Sequence, residues 1–211
     1  MKRLVVLWIL VFTMMPFMAV LAADVEPPQW TFDDKDAEKE LGTWGGQNQL
    51  KPLEIKDVKD SQGNTRSVLF TSSLGGDPYL YPGGDSNSCD YDPFDGSKYD
   101  TLYLGVRVNA TNDWQIYYIS KEDMSWAEAQ HQNFTVEATG KFEDLQIPVT
   151  QGGWNKKTIV RFRIDPGTAA NIEAEIDYIS FTGVPGGKSP VEPNEKLSTV
   201  WGKIKFFSGQ L

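Results

Sequence analysis

A chain of 211 residues with 29 acidic and 20 basic side chains, a net charge of −9, one histidine and one cysteine excludes several chemistries at the outset. So acidic a surface repels phosphate backbones and argues against nucleic acid as a partner. One cysteine forms no intramolecular disulfide, and one histidine with one cysteine supplies no zinc site.

Residues 1–22 predict a cleavable secretory signal. Lys2 and Arg3 open the chain, and an apolar run from Leu4 to Leu21 follows, interrupted only by Thr13 and Pro16. Val20-Leu21-Ala22 then offers a small-residue cleavage site before Ala23-Asp24-Val25-Glu26 turns polar. The run is close to the ~18–20 apolar residues that span a bilayer, so an uncleaved anchor is the alternative; Pro16 and the Val-x-Ala site weigh against it. Removing residues 1–22 takes away Lys2 and Arg3 and no acid, leaving 18 basic and 29 acidic side chains, a net charge of −11. The expected destination is secreted, periplasmic or cell-surface.

From Trp30 onward the chain alternates apolar and polar residues in short β-branched and aromatic runs, separated by Gly, Pro, Asn and Asp. The runs 30–32, 50–58, 67–73, 99–109, 114–119, 133–138, 142–149, 158–165 and 172–182 predict strands. In 99–109, Leu102, Leu104, Val106 and Val108 share one face, and Asn112-Asp113 turns the chain back into WQIYYI. In TIVRFRID (158–165), Ile159, Arg161 and Arg163 share a face opposite Val160, Phe162 and Ile164, the pattern of a half-buried antiparallel strand. No long segment outside the signal has helical periodicity. Such a series predicts an all-β domain over 23–183, a two-sheet antiparallel β-sandwich. Residues 184–195, rich in Pro and Gly, read as a linker. Residues 196–211 form an apolar, basic tail, in which helical spacing gathers Leu197, Val200, Trp201 and Ile204; a docking or sorting segment, an added strand and a disordered end stay open for it.

Catalytic signals are weak. His131 lies in the polar stretch SWAEAQHQN, no serine or cysteine context resembles an activated nucleophile, and among 29 acids no carboxylate pair is singled out. A non-enzyme is expected. Oxygen-rich loops suit calcium, and if the terminal strands lie side by side, Asp33-Asp34-Asp36 and Glu175/Asp177 come together; Asp33 and Asp177 are the candidate ligands of a structural calcium, with a solvated acidic surface as the alternative. Asp85-Ser86-Asn87 and Asp90-Tyr91-Asp92 form a further acid-rich loop. Asn109 and Asn133 each open an Asn-x-Thr glycosylation triplet. The aromatic residues are more telling. Trp44, Trp126 and Trp154, with Tyr79 and Tyr81 in GGDPYLYPGG, sit in loop-like segments beside polar residues. Aromatic rings of that kind stack on the apolar face of a sugar while amides and carboxylates meet its hydroxyls; the alternative is that they seal the ends of the sandwich.

Several segments carry a resemblance. WTFDD with Trp44 following, SLGGDPYLYPG, KYDTLYLGVRVN followed by DWQIYYI, SWAEAQHQNFTV, Trp154 and the closing FRIDPGTAANIEAEIDYISFTG occur in this order. From about Trp30 to Gly183 the chain resembles the galactose-binding-like β-sandwich (jelly-roll) modules appended to secreted polysaccharide-degrading enzymes. The resemblance implies a non-catalytic module that binds a polysaccharide or glycan at loops or on a concave sheet face, with calcium near the chain termini in some relatives. With no catalytic domain alongside, the module is expected to act alone or through a cell-surface or enzyme partner met by the tail. The competing expectation is a structural or adhesion module making protein contacts.

Overall fold

The computed structural model describes residues 25–33, 35–83, 91–186 and 188. The expected signal and tail, Asp34, Cys89 and the loop 84–90 lie outside the described residues, as does most of the expected linker. Among the described residues eleven strands follow one short α-helix, with a 3-10 helix at Gln151–Lys156 between the ninth and tenth: α1 (Ala37–Gly42), β1 (Gly46–Asn48), β2 (Glu54–Lys59), β3 (Thr65–Ser72), β4 (Tyr79–Tyr81), β5 (Phe94–Asp95), β6 (Thr101–Val108), β7 (Asn112–Ser120), β8 (His131–Val136), β9 (Glu143–Pro148), β10 (Thr158–Asp165) and β11 (Glu173–Ser180).

The strands form a two-sheet antiparallel β-sandwich, the expected fold. One sheet runs β1-β4-β10-β7-β8, with β5 paired to β10 as its sixth strand; the other runs β2-β3-β11-β6-β9. Period-two alternation decides which side chains meet between them. Leu80, Trp114, Ile116, Tyr118, Val136, Phe162 and Ile164 project inward from the first sheet, and Leu69, Leu102, Leu104, Val106, Ala174 and Ile176 from the second. These side chains and their neighbours make one continuous core.

One expectation needs correction at the chain's entry. Residues 30–32 form no strand: Trp30 makes an isolated bridge to Ile179, and Phe32 turns to φ 53. Helix α1 explains the departure, because Glu40 Oε2 accepts from the backbone N–H groups of Thr31 (2.8 Å) and Phe32 (2.6 Å). A carboxylate thereby satisfies two donors that a sheet would otherwise have paired. The helix is six residues long, too short for its periodicity to register in the sequence.

The outer face of the five-stranded sheet is closed by its own side chains. The ladder between β11 and β6 shifts register between Ile176 and Tyr178, placing Tyr178 opposite Gly105. A Cβ on Gly105 would meet the Tyr178 ring at 2.4 Å, so the ring lies flat where only glycine leaves room. Its hydroxyl donates to Asp144 Oδ1 at 2.9 Å. Around it Arg107 pairs with Glu175, Arg66 pairs with Asp177 and Asp60, and both guanidiniums stand over the Phe142 ring.

Candidate functional site: an aromatic face on the six-stranded sheet

The outer face of the six-stranded sheet is built differently. Leu80 points inward, so Tyr79 and Tyr81 on β4 point outward, their rings stacked with centroids 6.2 Å apart. On β10 the inward positions are Phe162 and Ile164, which leaves Arg163 and Asp165 on the outer face. On β7 Tyr117 and Gln115 share that face, and the pairing Arg163↔Tyr117↔His131 sets three outer residues in one row across β10, β7 and β8.

The loop between β7 and β8 then returns over this face. Gln130, 2% exposed, anchors it from beneath: its side-chain amide donates to the Ser125 carbonyl (3.1 Å), and its own carbonyl accepts from the Tyr118 N–H (3.1 Å). The fold of this loop brings Trp126 beside Tyr81, ring centroids 6.1 Å apart, and puts Glu128 against the Tyr117 hydroxyl at 3.0 Å. Burial and then Glu128 push the Tyr117 hydroxyl up to about 12, so it stays protonated and donates. His131 stacks on Tyr117 (4.8 Å, 20°), with Nδ1 2.5 Å from the Glu128 carbonyl oxygen. That acceptor keeps the ring proton on Nδ1.

Arg163 is the centre of the arrangement. Its guanidinium carbon lies 4.2 Å from the ring centre of Tyr117, 4.5 Å from Tyr79 and 5.6 Å from Trp126. Rings so placed attract the cation through their quadrupoles. Nη2 donates to Asp165 Oδ2 at 2.8 Å, the one hydrogen bond of this side chain among the described residues. Asp165 is 4% exposed, and burial pushes its carboxyl up to about 7; Arg163 opposes the rise, and Asp77 and Glu128 add to it. Further along β7 and β8 the face becomes polar. Gln115 donates to Asn133 (2.8 Å) and Thr135 to Asp113 (2.8 Å), lining a shallow depression of about 370 Å³ with Phe134 and Thr168.

Of the five aromatic residues singled out in the sequence, three come together here and two do not. Trp44 (4% exposed) packs edge-on against Trp30 and Phe162, and Trp154 (0% exposed) lies between Tyr118 and Phe181. Both are core residues, and neither offers a ring face to a ligand. Glycine-rich surroundings made them look like loop residues. Of the two glycines before Trp154, Gly152 serves packing: it takes φ 64, and a Cβ there would strike the Ala129 carbonyl at 2.2 Å. Sequence reasoning passed over Tyr117, His131, Arg163 and Asp165. Arg163 carried a usable signal, since the alternation of TIVRFRID already set it on the face opposite Phe162. His131 carried none.

Asp33 and Asp177 do come together, as the sequence led one to expect, but around a cation of the chain itself. Lys188 Nζ lies 2.6 Å from Asp33 Oδ1 and 3.0 Å from Asp177 Oδ1, while Arg66 Nη1 takes Asp177 Oδ2 at 2.6 Å. Calcium requires roughly six to eight oxygen ligands. Two carboxylates engaged by an ammonium and a guanidinium do not fit it, and no group of three or more His, Cys, Asp or Glu among the described residues is placed to hold a metal ion.

No family model matches the sequence, and no curated protein matches it. Among solved structures the chain is similar to an exo-β-agarase (TM-score 0.49, 10% identity, 70% of this chain covered). It is also similar to the family 11 carbohydrate-binding module of a cellulosomal cellulase of Clostridium thermocellum (TM-score 0.39, 13% identity, covering 69% of this chain and 91% of the module). A third likeness is a family 29 carbohydrate-binding module (TM-score 0.36, 8% identity, covering 61% of this chain and 79% of the module). The chain spans 24% of the agarase's length. What the aromatic face can do follows from its own residues.

Proposed function

We propose that the chain is an exported carbohydrate-binding module and that the outer face of the six-stranded sheet is its binding surface. The observation that carries this is the placement of Tyr79 and Trp126 around Arg163, with the Tyr81 ring against both of them. Partly exposed rings offer flat apolar platforms, and the guanidinium between them keeps donors that no described residue takes. Pyranose rings present that combination: an apolar face to stack and hydroxyls that accept from N–H groups. The amides of Gln115 and Asn133 extend the polar part of the surface along β7 and β8. An open sheet face admits the interior of a chain as readily as its end. Export by residues 1–22 belongs to the proposal, since a polysaccharide ligand lies outside the cell.

The role is binding rather than turnover. Asp165 is engaged by Arg163, and Glu128 by the Tyr117 hydroxyl. On the outer face of the five-stranded sheet, the partly exposed rings of Phe70 and Phe142 are covered by Lys56, Arg66 and Arg107. Exposed large apolar residues among the described ones, Val25, Leu74 and Met124, are scattered through the sequence.

Affinity electrophoresis through gels containing soluble plant, algal or microbial polysaccharides, followed by a glycan array, tests the proposal. Wild type is expected to be retarded by at least one polymer. Tyr81→Ala and Trp126→Ala should each weaken that binding by about tenfold, on the order of 1.4 kcal/mol, while leaving the melting temperature nearly unchanged. Silence across the panel, or full retention by both variants, refutes it.

A further inference from the structure

We infer that Lys188 is the structural cation of this domain, its ammonium standing where a divalent ion would otherwise join the first segment of the chain to the last strand. Asp177 is the reason a cation is required there. It sits on β11, the middle strand of its sheet, and its side chain is 1% exposed. A buried carboxylate is tolerated only when paired and hydrogen-bonded. Asp177 meets that demand twice, with Arg66 on one oxygen and Lys188 on the other.

Lys188 is equally committed. Its side chain is 7% exposed, and its ammonium bridges Asp177 to Asp33, which lies just before α1. Three parts of the chain therefore converge on one nitrogen: the entry segment, the last strand, and the segment just beyond it. An ion drawn from solution would bind according to its concentration and leave under a chelator. A covalently attached ammonium has a high effective concentration at the site in every buffer. Arg66 adds a second fixed charge, so a dication entering between Asp33 and Asp177 would meet two resident cations.

Thermal unfolding of the full chain decides the matter, in excess chelator and in millimolar calcium. The wild-type Tm is expected to be the same in both. Lys188→Met should lower Tm by about 4–8 °C, because it leaves Asp177 half-paired. Lys188→Arg, which keeps the charge, should melt above Lys188→Met. A wild-type Tm that rises with calcium or falls with chelator overturns the inference. So does a Lys188→Met protein that melts with the wild type, or a Lys188→Arg protein no better than Lys188→Met.

Discussion

Arg163 is positioned by its surroundings more than by its own length. Three rings and one carboxylate fix a side chain that would otherwise lose several rotatable bonds' worth of entropy on meeting a ligand. Asp165 bears the electrostatic cost of that arrangement. Its carboxyl, raised by burial from 3.8 to about 7, holds a proton more tightly in the folded protein than in the unfolded chain. The contribution of this group to stability is therefore greatest in acid, falls as pH rises between those two values, and is constant above the folded value. Asp165→Asn imitates the protonated acid. It should melt with the wild type at about pH 4 and above it at about pH 8; melting curves that stay parallel across that range would remove Asp165 as the titrating group. At this scale the sequence was legible where alternation fixes direction, as for Arg163 opposite Phe162, whereas Tyr79 and Tyr81, expected in a loop, stand on β4. It was illegible for Trp44 and Trp154, because a tryptophan between glycines reads as a loop whether its ring faces solvent or is tucked under the turn. It was equally so for His131, whose role depends on Tyr117 across the ladder.

Long strands were the readable elements. Strands β6, β7, β10 and β11 each carry eight or nine residues of alternating pattern, enough for the core to select their register. Strands β1, β4 and β5 have three, three and two residues and exist only because a neighbour offers a free edge. Yet β4 carries two of the three rings of the site. The irregularity in β11 has a consequence of its own at Gly105. Gly105→Ala would push the Tyr178 ring off the sheet and draw its hydroxyl from Asp144, whose carboxyl burial already raises above its ordinary value. A loss of about 1–3 kcal/mol in denaturant unfolding is expected. An unchanged midpoint would mean that the ring finds another seat at no cost.

The molecule as a whole presents two unlike faces, one ringed and open, the other ion-paired and closed. Its packed part also runs further than the 23–183 span the sequence led one to expect, because Pro185 and Lys188 are buried. The Pro-Gly composition of that stretch reads as linker, and nothing in it announces that a lysine five residues past Gly183 returns to the sandwich. A chain ending at Gly183 should accordingly melt several degrees below one ending at Lys188, by about 2–4 °C for each kcal/mol lost; equal melting would confine the domain to the shorter span.

The position of that lysine also sets a path for mechanical load. A pull on the chain beyond Lys188 reaches the rest of the domain through its ammonium at two places at once, Asp33 before α1 and Asp177 inside β11, and β11 is flanked on both sides by paired strands. Tension thus enters on the side of the sandwich away from the aromatic rings, divided between the entry segment and the middle strand of the five-stranded sheet, and a ligand held on the ringed face would be pulled from the opposite side of the core.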